Sequence, residues 1–286
     1  MVVHRFSNMG LSDIDESTDF EEALKVREVE YDGQGHIVKE TEYAEDGEIG
    51  EVIIRKYNDK GAISLLEHYF DGMLSESTKY EYNVDGLVIK EELTFADGGV
   101  LISDYTYDEH KNVIGKRVMD NEGGIDSHET AKFDVKRPLE HYKYDSENKL
   151  TESRNFIYRS DNPEILQEEI HFDAANGTEL RTVYLDNEAG SVTYNKEGKI
   201  HTRQSFVYDE KKRVAETFIN TFSGSYYYKY DYDEKDRVIE ESRSQSNTLF
   251  FRALMDYNEK GMLVARSVTE MNSGLFTDIY KFEFYS

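Results

Sequence analysis

The chain has 286 residues, no cysteine, two prolines and a formal charge of −25 from 34 basic and 59 acidic side chains. Without cysteine there are no disulfides and no thiolate metal sites. Such an acidic chain lacks the positive footprint that a phosphate backbone or an anionic bilayer demands, which disfavours nucleic acid and membrane and leaves solubility or a basic partner.

Residues 1–25 carry no copy of the pattern found later and read as an acidic N-terminal extension, with 26–286 as one repeat domain. The opening "MVVHRFSNMGLSDIDESTDFEE" has no apolar core of a secretory leader. No run reaches the roughly 18 apolar residues of a spanning helix, so the expected location is the cytoplasm. "TDFEEALK" offers a short helix capped by Thr18 or Asp19; otherwise the segment is a tail until strand alternation starts near Val26. "DIDESTDF" spaces Asp13, Asp15, Ser17 and Asp19 as a calcium loop begins. Thr18 and Leu24 stand where that loop needs glycine and glutamate, so no metal is expected.

From Tyr31 onward one unit recurs: an aromatic, Asp or Asn, two polar residues, a turn-former, one further residue, then an aliphatic. Copies are "YDGQGHI" at Tyr31, "YNDKGAI" at Tyr57, "YNVDGLV" at Tyr82, "YDEHKNV" at Tyr107, "YDSENKL" at Tyr144 and "YNKEGKI" at Tyr194. "YDEKKRV" at Tyr208, "YDEKDRV" at Tyr232 and "YNEKGML" at Tyr257 complete the set, with "FDVKRPL" at Phe133 as a variant. The first four lie 26, 25 and 25 residues apart, and the last three 24 and 25. A looser second turn falls between them, as in "YAEDGEI" from Tyr43 and "FADGGVL" from Phe95, giving a structural period of 12 to 14 residues.

The acid or amide after the aromatic hydrogen-bonds backbone amides and opens a turn; Gly or Asn near its end tolerates positive φ. Lys111 and Lys212 replace glycine in that zone, which suggests that no single turn type is required. The flanks alternate: "LVIKEELTF" sets Leu87, Ile89, Leu93 and Phe95 against Val88, Lys90, Glu92 and Thr94. Reversals this frequent leave no room for crossover helices. The expected fold is all-β: a sequential antiparallel meander of about twenty short strands in a strongly twisted or curled repeat sheet, single-layered at its simplest. A closed barrel or a thin two-layer sandwich is the alternative. "DIYKFEFYS" reads as a last edge strand, a place for self-association.

"GSYYYKYDYDEKDRVIEES", from Gly224, puts Tyr226, Tyr228, Tyr230 and Tyr232 on one face of an extended segment. A cross-strand aromatic ladder explains them structurally, and a partner-contacting surface explains them functionally. The adjacent acids Glu91 and Glu92, Glu168 and Glu169, and Glu240 and Glu241 face opposite ways along a strand, so none is an acid–base pair. The eight histidines show no metal-binding spacing, and the glycines form no phosphate loop, so neither cofactor nor catalytic residue is expected.

"YKYDYDEKDRV" resembles the YD or RHS repeat through Tyr230, Tyr232, Asp233, Arg237 and Val238, and "FVYDEKKRV" through Tyr208, Asp209, Arg213 and Val214. The resemblance implies strands that wind into a spiral or shell; some members of that family enclose a toxin domain and others belong to cell-surface proteins. The family's Gly-Arg pair is split here: Asp236 precedes Arg237, and no arginine follows where glycine is present. No protease core is identifiable, so the resemblance implies the strand-and-turn unit without encapsulation. The expected function is a non-enzymatic binding or scaffolding module, an immunity or inhibitor protein for a basic partner. Alternatives are a structural repeat protein of a larger assembly or, third, a glycan-binding or glycan-processing protein.

Overall fold

The computed structural model describes residues 1–7, 9–13, 23–185, 190–272 and 274–282. Among the described residues the chain folds as an antiparallel meander of twenty-two strands. It divides into two compact units, 1–52 with 202–286 (unit 1) and 53–201 (unit 2).

Unit 1 contains β1 (Val2–Ser7), β2 (Leu24–Tyr31), β3 (Ile37–Tyr43) and the start of β4 (Ile49–Tyr57). From the other end of the chain it takes most of β16 (Ile200–Tyr208), β17 (Val214–Thr221), β18 (Gly224–Tyr232), β19 (Val238–Gln245), β20 (Thr248–Tyr257), β21 (Leu263–Glu270) and β22 (Gly274–Lys281). Strands β16 to β22 pair in chain order. Then β22 pairs with β1, β1 with β2, and β2 with β3. Unit 2 pairs β5 (Ile63–Phe70), β6 (Met73–Tyr82), β7 (Val88–Phe95), β8 (Val100–Tyr107), β9 (Val113–Asp120) and β10 (Ile125–Asp134) in order. It continues through β11 (Arg137–Asp145), β12 (Leu150–Tyr158), β13 (Leu166–Asp173), β14 (Thr178–Tyr184) and β15 (Gly190–Asn195).

The sequential pairing matches the expectation from the repeat, and three other readings are corrected. The first is the open curled sheet with free terminal strands. β1 fills the place between β22 and β2, so the two ends of the chain are joined and the sheet closes there rather than lying open. The second is the last edge strand: β22 is paired on both sides and is not an edge. The third is the tail before Val26. Val2–Ser7 is a strand, and a 3₁₀ turn at Leu11–Asp13 follows it. Most of the possible helix in "TDFEEALK", and Asp15, Ser17 and Asp19 of the calcium-like spacing, lie outside the described residues.

The turns that open on Asp or Asn share one hydrogen-bond frame. In the first copy Asp32 Oδ1 accepts the amides of Gln34 and His36, Gly35 N–H donates to the Asp32 carbonyl, and Asp32 N–H to that of His36. This is a type I turn closed by one residue in the left-handed region. That residue is Gly35 at φ 86°. Asp108, Asp209 and Asp233 repeat the same bonds with Lys111, Lys212 and Asp236 in the glycine's place, at φ 64°, 63° and 65°. The hydrogen-bond frame thus holds even residues that dislike this φ. Other hairpins turn differently, as the sequence suggests: Phe70 opposes Met73, Asp134 opposes Arg137 and Gln245 opposes Thr248 across two-residue loops that place Asp71, Gly72, Val135, Ser246 and Asn247 at positive φ.

The recurring tyrosine also has a structural task. Its hydroxyl donates to the carbonyl of the residue that ends the preceding copy: Tyr82 to Ile63, Tyr107 to Val88, Tyr232 to Val214 and Tyr257 to Val238, at 2.5–2.9 Å. Each tyrosine also pairs with the aliphatic that closes its own copy, next to a β-bulge, as Tyr82 with Val88 and Tyr232 with Val238. A bulge repeated at this interval adds twist at every hairpin. Where arginine precedes the aliphatic, it completes the link. Arg213 is held by Asp209 at 2.6 Å and stacks over Tyr232 of the next copy at 4.3 Å; Arg237 does the same between Asp233 and Tyr257.

Candidate functional site

Directly opposed residues of antiparallel strands share a face, so register alone assembles a surface in unit 1. Tyr230 opposes Glu241, Glu241 opposes Ala253, Ala253 opposes Val268, Val268 opposes Phe276, and Phe276 opposes Ser7. One row over, Tyr228 opposes Arg243, Arg243 opposes Phe251, and Phe251 opposes Glu270. The tyrosines singled out in the sequence thus lie on one face with Phe251, Phe276 and β1, four strand steps or roughly 19 Å from β18 to β22.

The middle of this face is its best-packed part. Phe251, Ala253 and Val268 are buried together, with Phe250, Met255 and Phe276 against them. Three guanidiniums lie over these rings: Arg243 and Arg266 at 4.4 and 5.9 Å from the Phe251 centroid, and Arg5 at 4.2 Å from that of Phe276. Arginine serves here because its flat, weakly hydrated cation can stack while its edge bonds carboxylates. Arg243 Nε bonds Glu241 at 2.7 Å.

The four tyrosines are half-buried. Tyr226 hydroxyl accepts from Gln245 at 3.2 Å, and Tyr232 is tied into the ladder described above. Burial raises the pKa of Tyr230 and of Tyr232 above the ordinary phenol value. Tyr227, on the other face, packs tilted against Phe218 with ring centroids 4.8 Å apart. The ladder role and an accessible aromatic stripe therefore coexist on one strand.

At the β1 end, the same face holds a concavity of about 690 Å³ between β22, β1, β2 and β3. Its walls include Val3, Arg5, Val26, Arg27, Glu42, Tyr43, Glu45, Phe276, Asp278 and Tyr280. Asp278 is buried and takes two hydrogen bonds from Arg5, at 2.7 and 3.0 Å. That pairing raises the Arg5 pKa, and burial raises that of Tyr280. Arg27 is paired with buried Glu40. Lys25 lies over the Tyr43 ring at 4.6 Å, and the Tyr43 hydroxyl bonds Glu28. Glu42 and Glu45 are exposed on the lip and have no partner among the described residues.

Sequence reading missed this end of the face. "VVHRFS" does alternate, with Val3 and Arg5 on one side, but its partner Asp278 lies 273 positions away from Arg5. The adjacent acids do take separate partners: Glu91 accepts from Tyr105 and Glu92 faces Lys79, Glu168 binds Arg181 and Glu169 binds Tyr184, Glu240 binds Arg252 and Glu241 binds Arg243. No group of three or more metal-type ligands lies together among the described residues.

A family model described as an uncharacterised protein matches residues 19–123. No curated protein matches the chain. Among solved structures, it is similar to a chain of the Tc holotoxin pore of Photorhabdus luminescens at 11% identity and a TM-score of 0.33, over 85% of this chain and 16% of that one. It is also similar to a porin-like protein from Bacteroides uniformis at 10% identity and a TM-score of 0.34, over 86% and 89% of the two chains. The chain thus spans less than a fifth of the toxin chain, and at these TM-scores neither likeness says what the protein does. What stands of the family resemblance is its coarse part, the repeated antiparallel strand and turn.

Proposed function

We propose that the protein is a non-enzymatic binding module of YD/RHS-like repeats, working in the cytoplasm, which holds a basic protein partner as an immunity or inhibitor protein would. The observation that carries this reading is the register that aligns Tyr226, Tyr228 and Tyr230 with the concavity between β22 and β3 on a single face of unit 1. Tyrosine supplies contact area with few rotamers to freeze and keeps a polar tip for water or partner. A charge of −25 draws a cationic partner toward the molecule and speeds encounter. The alternative, a repeat protein of an assembly joined through a free edge, loses the edge assigned to it, because β22 is paired on both sides.

The test is association of the purified protein with basic proteins of its own cell, measured at about 50 and about 500 mM salt, where screening lengths differ severalfold. The reading predicts binding that weakens at high salt and that Tyr228→Ala with Tyr230→Ala reduces about tenfold or more. Salt-independent association, or none with any such protein, contradicts it.

A further inference from the structure

We infer that the concavity between β22, β1, β2 and β3 is the anchor pocket of this face, and that it takes a lysine or arginine side chain of the partner. The inference rests on the proposed function and makes it specific. The volume, about 690 Å³, lies within the range of sites that enclose small ligands or single side chains with their neighbours. Val3, Val26 and Phe276 give it apolar walls against which a methylene stem can lie.

Charge decides what enters. Both guanidiniums in the wall are already neutralised, Arg5 by Asp278 and Arg27 by Glu40. An anion would have to break one of these pairs and leave a buried carboxylate behind, which is strongly unfavourable. Glu42 and Glu45 are the carboxylates on the lip without a partner among the described residues, so the uncompensated charge is negative. A cation on an apolar stem satisfies walls and lip together. A free polyamine shares the cation but brings no backbone for the neighbouring tyrosine stripe, which selects a protein side chain.

The experiment is fluorescence anisotropy of the full chain with labelled tetra-arginine and tetra-lysine peptides, with spermidine as competitor. Wild type should bind at least one peptide in a salt-sensitive manner. Glu42→Gln with Glu45→Gln should weaken it by about tenfold or more, since charge-assisted hydrogen bonds are each worth about a decade. Glu210→Gln, an exposed turn acid elsewhere in unit 1, should change nothing. The inference is overturned if the double variant binds like wild type, or if spermidine binds and neither peptide does. If a basic partner protein binds but the double variant keeps full affinity for it, the pocket assignment falls and the proposed function survives; if no basic protein binds at all, both fall.

Discussion

Unit 1 and unit 2 share the same turns and the same tyrosine ladder, yet they bury very different side chains. Of the eight apolar residues buried among those described, Val3, Phe6, Val29, Phe251, Ala253, Ala265 and Val268 belong to unit 1 and only Val192 to unit 2. In unit 2 the buried positions are mainly polar: Ser103, Asn112, Ser153 and Glu168. Its strand middles are held by pairs such as Tyr105 with Glu91 at 2.8 Å, His141 with Glu129 at 3.0 Å, and Arg181 with Glu168. Unit 1 also holds the one described strand outside the repeat. β1 inserts beside β22, and the chain beyond it turns back so that the Thr277 hydroxyl donates to the Met9 carbonyl at 2.7 Å. Buried apolar residues gather in the unit that this non-repeat strand joins.

The largest effect that separates the units comes from a charge placed in the core. Val268→Asp should cost unit 1 about 3 kcal/mol or more, because an unpaired carboxylate is buried, whereas Leu93→Asp in half-buried surroundings of unit 2 should cost about 1 kcal/mol. Urea denaturation followed by circular dichroism measures both, and equal losses would erase the distinction. Removal of one ladder hydroxyl should be blind to it: Tyr107→Phe in unit 2 and Tyr232→Phe in unit 1 should each lose about 1 kcal/mol, since each orphans a backbone carbonyl. A loss in one unit alone would mean that the ladder is an accident of the other.

Smaller still, and of opposite sign, is relief of the left-handed turn. Lys212→Gly and Lys111→Gly should each raise stability by roughly 0.5 kcal/mol, the steric cost of a β-carbon at positive φ less the added freedom of the unfolded glycine. A fall in melting temperature in both would show that these lysines hold the turn by other means.

The smallest effect is a pH response that again differs between units. Burial first, and then Lys281 and Lys25, lower the pKa of His4 in unit 1 from its ordinary 6.5. The unfolded chain then binds the proton before the folded one, so the contribution of neutral His4 is full above about pH 6.5 and is lost as pH falls below it. Glu168 in unit 2 is held down by its hydrogen bond from Arg181, so its contribution is present above the ordinary carboxylate value and is lost only as pH falls through the lowered one. Between pH 7.5 and 5.5 wild type should lose more stability than His4→Gln. Parallel shifts in both would contradict the assignment to His4.

Much of the fold was legible because its instructions are local. The period-two alternation, the Asp or Asn of each turn and the shared face of Tyr226, Tyr228, Tyr230 and Tyr232 are fixed within a few residues of one another. That Lys111, Lys212 and Asp236 would sit at positive φ was less legible, because their side chains argue against it while the preceding Asp already fixes the turn through its amide bonds. Closure through β1 and the pocket it completes were not legible. Arg5 and Asp278 meet only after the whole repeat has run its course, and nothing local in "VVHRFS" names a partner 273 residues away.

Amide hydrogen exchange on the intact protein, read strand by strand, tests the joining of the chain ends most directly. With β1 bonded to both neighbours, the amides of residues 2–7 should exchange as slowly as those of β21 and β22, and more slowly than those of β6 and β7. Exchange of residues 2–7 at the rate of an unprotected chain would contradict the closure, and with it the pocket that Val3 and Arg5 help to line.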